Sequence, residues 1–187
     1  MNTIEELIRT SHEIAVSKGW WTCSERSVVE QVNNFHAEIS EAHEEWRAGR
    51  IETWWSMGDA KMVEEWRLQS DADKLAGGWT PSGFWAEIAD LCIRLADTMG
   101  AYGWSRVPRT TALFNSLPQF IWWLHSEVSA ATNEVGDWTI SARSTLQRIL
   151  ATCFVTARAN AVDLWPIIDL KTAYDRTRPQ RHGGKKA

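Results

Sequence analysis

Apolar residues recur every three or four positions along most of the chain, and each such stripe predicts an amphipathic helix. Ile4, Leu7, Ile8, Ile14 and Ala15 mark one over residues 3–17, stopped at Gly19. Residues 24–47 repeat the pattern, with Ser24 as candidate N-cap, Val28, Val29, Val32, Phe35, Ile39 and Ala42 inside, and Gly49 as the stop. Further helices are expected over 84–99, 117–135 and 141–161, and a short one after Pro166. No alternating strand-like run and no NG or DG turn interrupts them, so the pattern predicts an all-α fold. Residues 51–83 break the periodicity. They are polar and tryptophan-rich, with a Gly and Pro cluster at 77–83 that requires a turn, and they read as an insertion.

The polar faces are less ordinary. "EISEAHEE" carries Glu38, Glu41 and Glu45 at i, i+3 and i+7, on one side of its helix, with Glu44 turned partly away. Like charges so spaced repel by about a few tenths of a kcal/mol per pair, so helix stability does not select them. A second helix, "EIADLCIRLAD", places Glu87 and Asp90 at i and i+3, with Asp97 two turns further on the Asp90 side. One such pair is ordinarily a solvated face. Two pairs, each beside a clean apolar stripe, can converge when the helices pack, and four carboxylates in one place need cations. Hard divalent ions suit an all-oxygen set.

The chain also resembles itself. "HAEISEAHEEW" (36–46) aligns with "HSEVSAATNEV" (125–135), matching His36 with His125, Glu38 with Glu127, Ser40 with Ser129, Ala42 with Ala131 and Glu45 with Glu134. The following helices match Ile88 with Ile149, Cys92 with Cys153 and Ala96 with Ala157. In this register Glu41 meets Ala130, Glu87 meets Arg148 and Asp90 meets Ala151, so the second copy has lost its acids and Arg148 is expected to neutralise Glu127. Two helix pairs would bury each other's stripes as a four-helix-bundle-like arrangement. One domain is expected over 1–187: an acidic half at 1–100, a degenerate half at 117–165 and a basic tail at 166–187.

Composition changes the picture mainly by exclusion. A chain of 187 residues with 44% apolar content is long enough to bury a core as one domain. Its net charge of −4 gives no global reason to bind nucleic acid or an anionic membrane. The longest apolar runs fall short of a bilayer span, and "MNTIEELIRTSHEIAV" lacks the form of an export signal. Cys23, Cys92 and Cys153 form no CxxC pair, and two lie in apolar helical runs, which predicts reduced thiols and a cytoplasmic protein. No GxxxxGK[ST], GxGxxG or GxSxG is present.

The order ExxE, linker, ExxD resembles the MazG-like family of all-α nucleoside triphosphate pyrophosphohydrolases. "KGWW" at 18–21, "HAEISEAHEEWRAGR" at 36–50, "PSGFWAEIADLCIRLAD" at 81–97 and "KTAYDRTRPQRHGGK" at 171–185 are similar to segments of that family, in its order. The resemblance implies a MazG-type fold, with Glu38, Glu41, Glu87 and Asp90 as ligands of Mg²⁺, Mn²⁺ as a substitute ion, and Glu45 and Asp97 as auxiliary groups. It implies cleavage of a (d)NTP to (d)NMP and pyrophosphate, in nucleotide pool sanitation or dNTP control, with Lys171, Tyr174 and Arg178 near the phosphates. Two departures stand out: the gap from Glu41 to Glu87 is longer than the family's usual linker, and Asp175 stands where Asn is common.

Glu41 or Glu45 is the candidate base for the attacking water. Most of the thirteen tryptophans are expected to pack, but Trp20 or Trp21, beside Gly19, is a candidate to stack on a nucleobase, and Trp21 is the preferred one. His36 and His43 point off the acidic face and are weak ligand candidates; His182 lies in the tail. A di-iron or di-manganese carboxylate bundle is the first alternative, but it wants ExxH pairs and none is present. The second is a non-catalytic helical interaction module derived from the same family. The repeat could replace a homodimer partner or pair again.

Overall fold

A computed structural model describes residues 1–21, 26–57, 69–105, 112–133 and 135–180. Seven helices are described: α1 (Ile4–Ser17), α2 (Val28–Arg47), α3 (Asp71–Ala76), α4 (Phe84–Ala101), α5 (Leu117–Ala130), α6 (Ala142–Ala159) and α7 (Leu164–Thr177). The all-α expectation holds at that level, with one correction. β1 (Trp54–Ser56) and β2 (Thr80–Ser82) pair antiparallel inside the insertion, Trp55 opposite Pro81. Strands of three residues are too short to show an alternating pattern, and they are joined by a long connection instead of a hairpin turn.

Several boundaries move for local reasons. α2 begins at Val28 because Ser27 caps it, in a reciprocal capping box with Glu30. Ser24 lies outside the described residues, as do Cys23, Glu134 and His182. Val29 is exposed rather than inside. α7 begins before Pro166, which sits in its first turn where a missing N–H costs nothing.

α4 is the central element. It packs against α1, α2, α6 and α7, while α5 packs against α2 and α6. Phe84, Ile88, Leu91, Leu95 and Met99 are fully enclosed. Close approach is built in at two glycines. A Cβ on Gly100 would stand 2.6 Å from the His12 Cβ, and one on Gly83, whose φ is +117°, would stand 2.2 Å from the Glu52 carbonyl oxygen. Phe84 N–H donates to the Arg50 carbonyl, tying the start of α4 to the loop after α2.

Across the molecule His36 stacks on His125, ring centroids 5.2 Å apart. Cys92 hydrogen-bonds Cys153, and both thiols are free and buried. Among the described residues no helix is long and apolar enough to cross a membrane.

Candidate metal centre

The faces predicted from periodicity meet where α2 crosses α4. Oxygens of Glu38, Glu41 and Glu87 come within 4.8 Å of one another, a group that can hold a metal ion. Glu38 and Glu87 are buried and Glu41 is exposed, so two donors are fixed by the core and the third opens to solvent. The donors are all carboxylate oxygen, with no thiolate or imidazole among them, which fits a hard divalent ion. Asp90 lies beside the three, and its carboxylate receives Lys171 Nζ at 2.5 Å.

The same cleft is lined by Glu38, Glu41, Glu87, Asp90, Lys171, Tyr174 and Arg178. α7 therefore runs over the acids. Lys171 is 97% enclosed: its ammonium also donates to the Pro81 carbonyl at 2.9 Å and stands 3.5 Å from Glu87. Tyr174 OH accepts from the Thr80 hydroxyl, so β2 forms part of the wall. Lys18 Nζ donates to the carbonyls of Arg176 and Arg178, holding the "KGWW" segment against the end of α7.

Burial makes Glu87 and Glu38 reluctant to ionise. It pushes the Glu87 carboxyl up to about 8 against the pull of Lys171, with Asp90, Glu38 and Glu41 adding to the rise. Glu38 is pushed up to about 7, again by burial first, although Arg94 opposes it. Burial and then Asp90 raise Asp175 to about 6. Asp90 and Glu87 in turn hold the Lys171 ammonium above its ordinary range despite burial. Such a site keeps protons until a cation replaces them.

Three candidates from the sequence find other partners. Glu45 is gripped by Arg50 through two hydrogen bonds of 2.8 and 2.7 Å, and by the Trp54 indole at 2.7 Å. Seven residues at about 1.5 Å each carry it about 10 Å along the helix from Glu38, out to the insertion. Asp97, displaced equally from Asp90, accepts from His12, Trp21 and Arg26. Trp21 is thus held by Asp97, and it is Trp20 that lines the cleft. Arg148 donates to Glu127, the pairing expected from the sequence.

Two cations beyond Lys171 and Arg178 line the cleft. Arg94 Nε donates to Glu38, and Arg26 lines the same wall. Arg94 was legible, being four residues after Asp90 and hence on its face. Arg26, just before a helix cap, carries no comparable signal. Compared with protein-family models, curated proteins and solved structures, the chain matches none of them.

Proposed function

We propose that the protein is a Mg²⁺-dependent nucleoside triphosphate pyrophosphohydrolase of MazG type, releasing a nucleoside monophosphate and pyrophosphate, with Mn²⁺ able to substitute. The observation that carries this reading is the meeting of Glu38, Glu41 and Glu87 with Lys171 and Arg178 in one cleft. Acids alone would suit many cations. Acids facing cations from another helix suit a divalent ion together with an anionic ligand, because Arg and Lys meet phosphoryl oxygens directly.

Glu38, Glu41 and Glu87 would hold the ion, with Asp90 beside them. When bound, that ion supplies neutralisation of charge on the phosphoryl oxygens and makes water more acidic. Glu41, the exposed member, accepts the proton of the water that attacks the α-phosphorus as the bond to the α,β-bridging oxygen breaks. Arg178 binds phosphoryl oxygen. Lys171 pairs with Asp90 and fixes α7 over the cleft. Trp20, on the cleft wall, takes the base-stacking role in place of Trp21.

The internal repeat belongs to the same proposal. His36 meets His125 and Cys92 meets Cys153, and residues equivalent in two copies touch each other where a pseudo-twofold axis passes. The Glu127–Arg148 pair then occupies the position of a lost site.

The test is a panel of NTPs and dNTPs with Mg²⁺, scored for pyrophosphate against orthophosphate. Pyrophosphate release that chelation abolishes is the expected result. Orthophosphate release, or no turnover of any triphosphate, overturns the reading.

A further inference from the structure

Arg94 stands where two recesses meet. The acidic cleft and a second pocket, bounded by α1, share Trp20, Arg26, Asp90, Arg94 and Arg178. Glu38 is therefore claimed twice. Its Oε1 accepts from Arg94 Nε, and the same carboxylate belongs to the group able to hold a metal ion. A guanidinium and a divalent cation repel each other, so full occupancy of Glu38 by one opposes the other. The two side chains differ in freedom. Glu38 is 5% exposed, whereas Arg94 is 33% exposed on a long stem at the mouth of both recesses.

Independent features say what Arg94 would find on leaving Glu38. Ser11, Arg26 and Thr172 line the second pocket, and behind its surface Arg26 Nε and the Ser11 and Thr172 hydroxyls are buried without a hydrogen-bond partner. The Arg26 side chain is only 8% exposed. Buried polar groups left unpaired cost about 1–3 kcal/mol each, so two hydroxyls able to turn toward one pocket favour a polar ligand there. Asp90, Asp97 and Asp175 also line this pocket but pair with Lys171, Arg26 and Arg178, so Lys18 and Arg94 are left to suit a ligand with acceptor oxygens and negative charge.

We propose that Arg94 is a latch between two ligands, closed on Glu38 while no divalent ion is bound and turned to a phosphoryl oxygen once a divalent ion takes Glu38. The latch rests on the nucleotide reading above. It makes cation binding and anion binding assist each other, and this coupling is reciprocal by thermodynamic necessity. It also gives Arg94 substitution effects of opposite sign on the two ligands, which a merely structural arginine does not produce.

The experiment compares the full chain with Arg94→Ala and Arg94→Gln at pH 8.5, where proton competition for the carboxylates is reduced. Mn²⁺ affinity is read by electron paramagnetic resonance of the free ion without phosphate, and inorganic tripolyphosphate affinity by calorimetry at saturating Mg²⁺. The latch predicts Mn²⁺ binding about tenfold tighter and tripolyphosphate binding about tenfold weaker in the variants. Arg94→Gln, which can still hydrogen-bond Glu38, serves if the alanine variant does not fold. Both affinities falling together, or Mn²⁺ affinity unchanged, overturns the latch and leaves the nucleotide reading intact. A wild-type chain that binds neither Mn²⁺ nor tripolyphosphate overturns both.

Discussion

Glu87 links the candidate site to the stability of the whole fold. It sits in the first turn of α4, 6% exposed, with its carboxyl pushed up to about 8 against an ordinary value of 4.5. The native state therefore keeps a proton that the unfolded chain releases. Its contribution is full below about pH 4.5 and is lost as pH rises through about 8. The separation between those values, at about 1.4 kcal/mol per pH unit, sets an upper bound of about 5 kcal/mol. Glu38, itself raised to about 7, titrates with it, so the bound belongs to the pair, and removing one member is expected to change stability by about half of it, on the order of 2–3 kcal/mol. For a chain of this length that corresponds to about 5–10 °C in Tm.

The assay is thermal unfolding of the native protein and Glu87→Gln in EDTA, from pH 5 to 8.5. Gln preserves the shape and neutrality of the protonated acid, so Tm of the native protein should fall across this range relative to the variant, which melts higher at pH 8.5. The relative fall is the quantity to read, because burial lowers the pKa of His36 and His125 and gives both proteins a contribution of opposite sign. Saturating Mg²⁺ should then raise Tm of the native protein at pH 8.5, by mass action on a site missing from the unfolded chain, and raise the variant much less. Parallel curves for the two proteins in EDTA would refute the reasoning.

Three further outcomes are expected. Glu41→Gln and Asp90→Asn should each remove most pyrophosphate release while the fold persists in circular dichroism; unchanged turnover in both would remove the site assignment. Glu45→Gln should lower stability by about 1–3 kcal/mol in denaturant titration, through its lost bonds to Arg50 and Trp54, yet leave Mn²⁺ affinity within about twofold, since two helical turns separate Glu45 from Glu38. Gly83→Ala should cost more than about 2 kcal/mol by the same titration, because φ is +117° and the added Cβ would collide with the Glu52 carbonyl; a variant as stable as the native chain would show that this loop readjusts.

Periodicity by itself determined the six longer helices and the face on which each acid stands, because both follow from a 3.6-residue repeat that is local to one segment. Glu38 and Glu41 share a face of α2, and Glu87 and Asp90 share a face of α4, whatever those helices pack against. Distance along a helix is also local, but its consequence is not. Glu45 and Asp97 lie on the right faces and still find other partners, because Arg50, Trp54, His12 and Arg26 reach them first. The packing of α1 brings His12 there and the insertion brings Trp54, while Arg26 and Arg50 flank α2 and are placed by how the chain enters and leaves that helix. The choice between Trp20 and Trp21 is of the same kind: Asp97, far along the chain, holds one indole, while the other lines the cleft. β1 and β2 were illegible because a three-residue ladder gains its hydrogen bonds from a strand distant in sequence. Arg94 stood in view on the α4 face. That it closes on Glu38 was decided by how α2 lies across α4, since an ion pair depends on separation in space, which a single helix does not specify.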